Sequence, residues 1–452
     1  MAIRVDVTHE TPSAIRRTVV GLAIPAVSEM LLQTSGWVID TAFVGRLGAE
    51  YLAAVALAGQ VYFTLVFAFG AVGIGATALL ARYTGAGDQK SAIRASGQII
   101  RLSLLLGALA MLSVRLLAPL VFRASGIEPH VMSLALRYTR LLSLGAVLQV
   151  FMLGISGVLR GHGNTRSPFV ITLVSNSVGI LAEYILIFGI GRIGGLGFVG
   201  AALGLLTGWF VGAVVALVIA FGGSTRVASA QDLLSASWGD SVRVLRLAFP
   251  AGMETLLMDG ARTVNMMFMA VLGTTSLAAF QIVAAAESLS FMPGYGFAIA
   301  SSVVTGQALG AGDASYAKTA ANVSWRIALT IMGSIGATYV LFPGVYVSLF
   351  GRDAEVFSLA RVCLAIAGIA QPFIATTEVH AGVLRGAGDI RASMYITMAG
   401  TWLVRVPLTY LVARKLGLGL EAVWAVMVLD WFVRSILARR RFLSGRWAEV
   451  GV

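Results

Sequence analysis

The sequence predicts an all-α polytopic membrane protein, with twelve transmembrane helices in two six-helix repeats around a central cavity. Three observations predict it. Of the 452 residues 58% are hydrophobic and only 12% are charged. A soluble domain carries about 25% charged residues, so this chain lacks the polar surface of a water-exposed shell. The apolar residues come in runs of about 20, the length that crosses a bilayer core with every backbone group bonded inside the helix. The two halves of the chain also repeat each other at one fixed spacing.

The runs fall near 18–42, 52–76, 94–118, 131–155, 168–190, 196–221, 244–270, 277–301, 318–342, 356–378, 393–413 and 420–437. Polar stretches such as TGAGDQKS at 84–91, GHGNTRS at 161–167 and GAGD at 386–389 separate them. The opening MAIRVDVTHETPSAIRR carries acidic residues and no small-residue cleavage site behind a short apolar core, so the first run is expected to stay in the protein. Cys363 is the single cysteine and permits no internal disulfide.

The formal charge of +12 comes from 33 Lys and Arg against 21 Asp and Glu. These bases form no aromatic-interleaved patch, which argues against a nucleic-acid partner. They gather in alternate connections: Arg82 with Lys90, Arg160 with Arg166, Arg226 with Arg243, Lys318, Arg385 with Arg391, and Arg439 to Arg441 at the end. The other connections hold fewer, with Arg46, Arg123, Arg192, Arg352, Arg414 and Lys415. The bias predicts both termini in the cytoplasm of a cell whose inner membrane the chain crosses.

An offset of 225 residues aligns the halves. Pro25, Glu29, Phe43 and Gly48 fall on Pro250, Glu254, Phe268 and Gly273. The GAGD at 85–88 falls on the GAGD at 310–313, and GVLRGHG at 157–163 on GVLRGAG at 382–388. This predicts an N-terminal lobe over 1–225 and a C-terminal lobe over 226–452. Six helices per copy put both copies in the same orientation, the arrangement of carriers whose halves rock to expose a cavity alternately.

Polar residues inside the apolar runs are the candidate site. Asp40 ends the first run, and an ionised carboxylate there must face a cavity, accept hydrogen bonds or carry a proton; the alternative is a pair with Arg46. Its repeat partner is Asn265, which points to coupling in the N-terminal half. Glu29 and Glu254 each follow a proline by four residues and either line a pathway or hold helices together. Asp259 is three residues before Arg262, so it either pairs with it or binds a cationic substrate. Asn176 and Glu183 are seven apart and share a helix face. Gln60, Gln281, Met258 and Trp37 complete the candidate substrate contacts, since methionines and aromatics accommodate several ligand shapes and stack on cations.

Enzyme chemistry has no visible site. The glycine-rich GxGD and LRGxG segments, read as tight turns, lack the Lys-Ser/Thr of a phosphate loop. His9, His130, His162 and His380 have no zinc spacing, and no nucleophile triad is present, so neither a metal nor a cofactor is expected.

VIDTAFVGRLGAEYLAAVAL at 38–57, the GAGD loop, GVLRGHGNTRSP at 157–168, EYILIFG at 183–189 and the echoes LGTTSLAAFQI at 272–282 and GVLRGAGDIR at 382–391 resemble the multidrug and toxic compound extrusion family, in its DNA-damage-inducible protein F-like branch. The resemblance covers nearly the whole chain. It implies two six-helix lobes around a V-shaped cavity and export of cationic or amphipathic compounds in exchange for H+ or Na+. It implies further that Asp40 couples the cation, with Glu183 in the place of the family's fifth-helix aspartate and Asn176 beside it. The chain departs from the family by Gly179 where an asparagine is usual, and by Met258 where another branch has a glutamate, which favours H+ over Na+. The expected partners are lipophilic or cationic small molecules and membrane lipids, and the chain is expected to act as a monomer. A lipid or lipid-linked oligosaccharide flippase is the rival reading, sustained by Arg101, Arg137, Arg140, Arg262, Arg361 and Arg405 within or beside the spans.

Overall fold

The computed structural model describes residues 11–190, 193–222, 227–228, 231, 238–349 and 353–451. Arg192, Arg226 and Arg352, counted above among the loop charges, and the predicted lobe boundary at 225/226 lie outside them.

All twelve predicted spans fall on helices. The first half holds α1 (Pro12–Gly45), α2 (Ala49–Gly70) and α3 (Val72–Gly85), which share one span, then α4 (Gln89–Ala124), α5 (Pro129–Gly161), α6 (Arg166–Phe188) and α7 (Phe198–Phe221). A two-residue antiparallel hairpin, Gly189–Ile190 with Ile193–Gly194, joins α6 to α7. The second half holds α8 (Trp238–Met269), α9 (Thr274–Gly310), α10 (Ala314–Leu341), the short α11 (Pro343–Val347) and α12 (Ala354–Ala387). The eleventh span is α13 (Ile390–Met398) and α14 (Val406–Tyr410) with π-helical turns at Ala399–Arg405 and Leu411–Lys415, and α15 (Leu420–Leu443) is the twelfth. Among the described residues eight spans are long and apolar enough to cross a membrane by composition alone. The other four, on α1, α8, α10 and α15, also fall on helices at least 24 residues long.

The chain forms two compact units and passes between them inside α1 and α8. Unit 1 holds Ser28–Gly252, and unit 2 holds Met253–Val452 with the first part of α1 up to Val27. Each change of unit comes just after a proline, Pro25 or Pro250. Proline removes one helical hydrogen bond and crowds the preceding turn, which lets the two parts of one helix pack on different neighbours. Asp240 fixes the first part of α8 within unit 1: it accepts from Tyr83 Oη at 3.1 Å and pairs with Arg94 at 3.5 Å.

The GxGD and LRGxG motifs do more than turn the chain. Asp88 and Asp313 cap the N-termini of α4 and α10, accepting from Ser91 N at 3.0 Å and Tyr316 N at 2.8 Å. The Ser91 bonds hold the Asp88 carboxyl below the usual range. Gly87, Gly163, Gly312 and Gly388 have positive φ and are the turn glycines. Gly157, Gly161, Gly382 and Gly386 instead lie within helices, where a Cβ would collide with the backbone of α3 or α9 or with Leu80. They are crossing points of α5 on α3 in unit 1 and of α12 on α9 in unit 2. Unit 2 also buries Trp424, Phe280, Tyr339 and the free Cys363 in one apolar cluster.

Candidate functional site

In unit 1, α1 carries Asp40 and α6 carries Glu183 into the same enclosed place, with the residues 4% and 1% exposed. Their carboxyl groups are placed to hydrogen-bond each other. Such a bond requires a proton on one of the two, since two carboxylates offer only acceptors. Asp40 Oδ1 and Glu183 Oε1 are buried without a hydrogen-bond partner. Asp40 therefore faces Glu183, and the pairing with Arg46 that its sequence position allows does not form.

The surroundings keep this pair dry. Gly204 of α7 lies so close to the Glu183 backbone that a Cβ there would strike it. The phenol rings of Tyr62 and Tyr138 are buried with unpartnered hydroxyls. Asn176 donates from Nδ2 to Leu32 O at 2.7 Å and abuts Gly36, so it braces α6 against α1.

Glu29 and Glu254 form equivalent buried ion pairs. In unit 1, Glu29 Oε1 accepts from Arg160 Nη2 at 2.7 Å; in unit 2, Glu254 Oε1 accepts from Arg385 Nη2 at 2.9 Å. Glu254 also accepts from Ser393 Oγ at 3.1 Å and Thr397 Oγ1 at 2.9 Å. Both glutamates are thus engaged by an arginine of their own unit, which supports the reading that they hold helices together. Of the remaining candidates, Trp37 and Gln60 are exposed on α1 and α2, Met258 and Asp259 are half-buried on α8, and Gln281 is exposed on α9.

The sequence reading passed over the arginines of the LRGxG motif, although the two glutamates and the two arginines repeat at the same separation and so signal a repeated pair of contacts. It also passed over Tyr138, which no spacing rule links to Asp40. In unit 2 it missed Asp430, fully buried between Arg405 and Arg434; the i, i+4 spacing of Asp430 and Arg434 carried that signal. Among the described residues no group of three or more His, Cys, Asp and Glu side chains is placed to hold a metal ion.

A duplicated bundle of twelve long helices, with charged side chains buried at matching places in both copies, defines a polytopic membrane transporter. The MatE family profile matches the chain twice, at residues 25–185 and 250–411, once in each repeat. The chain belongs to this family of multidrug and toxic compound extrusion transporters, and it is not an enzyme. It is 28% identical over 444 residues to a probable multidrug resistance protein NorM of Thermotoga maritima, covering 98% of this chain and 95% of the relative. A MATE crystal structure in complex with MaL6 superposes with a TM-score of 0.88 at 25% identity, covering 96% of this chain and 97% of that one. An outward-facing multidrug resistance MATE transporter superposes with a TM-score of 0.87 at 25% identity, covering 97% and 99%.

Proposed function

We propose that the chain exports lipophilic cations and amphipathic compounds across the inner membrane in exchange for protons, as a monomer with both termini in the cytoplasm. The observation that carries this reading is the buried carboxyl pair of Asp40 and Glu183, which is placed to share one proton. A buried carboxyl pair that releases its proton gains a negative charge in a place of low dielectric, where a cation is strongly attracted. Reprotonation removes that charge and releases the cation. Exchange follows because proton and substrate favour opposite charge states of one site.

The repeat supports a proton site in one half only. Asp40 corresponds to Asn265, and the EYIL segment at 183–186 aligns with TYLV at 409–412, which sets Glu183 on Thr409. Neither Asn265 nor Thr409 takes up or releases a proton near neutral pH. The relative from Thermotoga maritima, named a probable multidrug resistance protein, supports the substrate class. The resemblance to the DNA-damage-inducible protein F-like branch, with Asp40 and Glu183 in place and Met258 in place of a glutamate, supports H+ over Na+.

The test is efflux of ethidium from proteoliposomes under a pH gradient alone and a Na+ gradient alone, with wild type and Asp40→Asn. Flux that follows the pH gradient and vanishes in Asp40→Asn is the expected result. Flux that follows Na+ or persists in Asp40→Asn overturns the proton assignment. Absence of flux from correctly inserted wild type favours a lipid flippase instead.

A further inference from the structure

Unit 2 buries a charged cluster where unit 1 has none. Asp430 on α15 is fully enclosed and accepts from Arg434 Nε and Nη2, each at 2.8 Å, and pairs with Arg405 Nη2 at 2.6 Å. Both guanidiniums lie over the Trp431 ring, Arg434 at 4.4 Å and Arg405 at 5.8 Å from its centroid. GWFV at 208–211 aligns with DWFV at 430–433, so Gly208, Trp209 and Gly212 occupy in unit 1 the places of Asp430, Trp431 and Arg434. There, Gly208 and Gly212 press against Ser175, and Trp209 stacks on Tyr62 at 5.6 Å. The equivalents of Ser175 and Tyr62 are Gly400 and Glu287. A Cβ on Gly400 would collide with Asp430 and Arg434, so the glycine has moved from one helix to the other to make room for charge. Unit 1 shows that the fold closes at this place with apolar and small side chains. Charges buried in a membrane protein without need of the fold mark function.

The backbone has also changed to deliver Arg405. It ends the π-helical stretch Ala399–Arg405, and a π-turn adds one residue to a helix. The two family matches begin 225 residues apart and end 226 apart, which places that extra residue within the matched segment. Arg405 spends one nitrogen on Asp430, keeps 15% of its side chain exposed, and has an Nε with no partner. Glu287 feels the charges of Arg405 and Arg262, yet among the described residues no ion pair joins it to either. Arg405 therefore holds an enclosed Nε–H donor without an acceptor, with an indole face beside its guanidinium. That geometry suits a carboxylate or phosphate oxygen.

We infer that Arg405 forms an anion subsite in unit 2, which takes the carboxylate of an amphipathic substrate or the phosphate of a lipid headgroup. The inference rests on the exporter reading and adds a second charge preference to it. The matched probes para-tert-butylbenzoate and para-tert-butylbenzylammonium share an apolar body and carry opposite charges. Their binding to the full-length protein in lipid-free maltoside is followed by calorimetry, for wild type, Arg405→Gln, Arg405→Lys and Glu287→Gln. Arg405→Gln is expected to weaken benzoate about tenfold or more and to leave the ammonium within about twofold, with Arg405→Lys keeping part of the benzoate affinity. Glu287→Gln is expected to tighten benzoate by removing a facing negative charge, a change that a purely structural cluster does not produce. If wild type shows no saturable benzoate binding, or Arg405→Gln weakens both probes equally, the subsite is overturned. Ammonium binding in the same preparation reports separately on the exporter reading. Added phosphatidylglycerol that displaces benzoate from wild type identifies lipid phosphate as the resident anion, whereas benzoate binding unmoved by it identifies a substrate carboxylate.

Discussion

Arg160 donates from Nη2 to Glu29 Oε1 at 2.7 Å, joining the end of α5 to the middle of α1 with the carboxylate 2% exposed. Removing one partner of a buried ion pair strands the other charge and costs about 3–5 kcal/mol, whereas replacing both by apolar groups costs far less. We therefore expect Arg160→Leu to lower the thermal midpoint of the purified protein more than Glu29→Leu/Arg160→Leu does. Tryptophan fluorescence during heating in detergent measures this. A double variant less stable than the single one would show that the pair does not act as a unit.

Asp313 caps α10 through its bond to Tyr316 N at 2.8 Å. Loss of such a cap leaves a helix N–H without its acceptor and costs about 1 kcal/mol. Asp313→Ala should lower the midpoint modestly, and Asp313→Ser should restore most of it. An alanine variant as stable as wild type would assign the aspartate no capping role.

Gly386 and Gly388 sit two residues apart in one motif and do different work. A Cβ at Gly386 meets the Ser302 backbone, so Gly386→Ala must push α12 from α9; overpacking of this kind costs about 1–3 kcal/mol. Gly388 ends α12 at φ 87°, in the left-handed region. There the cost is conformational, and asparagine, which tolerates the left-handed region, should be accepted better than alanine. Parallel melting of Gly386→Ala, Gly386→Asn, Gly388→Ala and Gly388→Asn separates the two mechanisms: Gly386→Asn is expected to fail where Gly388→Asn succeeds.

The spans were legible because run length and apolar content are local properties, and the duplication was legible because Pro25 and Pro250 anchor a constant offset. Side-chain partners were not. Asp40 and Glu183 were each singled out by their cost in lipid, but their contact joins the first span to the fifth and has no sequence spacing of its own. The turn reading of LRGxG held for Gly163 and Gly388, while Gly161 and Gly386 are helix crossings, because one sequence does not say which glycine meets a neighbour. The π-helical turn before Arg405 was hidden as well; a single extra residue inside an apolar run leaves its hydropathy unchanged.

The Asp40–Glu183 bond gives the proposed exchange a measurable sign. In that proposal the pair holds a proton when the two carboxyls face each other, and a bound cation is favoured only once that proton has gone. Ligand affinity is then highest at alkaline pH and falls as the pH drops, by about tenfold per pH unit where one proton competes with one cation. Asp40→Asn keeps a hydrogen-bonding group in place but removes one titrating partner, and the amide can donate to an ionised Glu183. Glu183 then no longer meets a second negative charge on losing its proton, so the pH dependence should move to lower pH or disappear across the physiological range. Glu183→Gln should do the same for Asp40. Equilibrium binding of ethidium by fluorescence polarisation, titrated from acid to alkaline pH with all three proteins, reads the slope directly. If both single variants keep the wild-type profile unchanged, the proton that competes with substrate is carried elsewhere in the chain and the carboxyl pair is a packing device of α1 and α6.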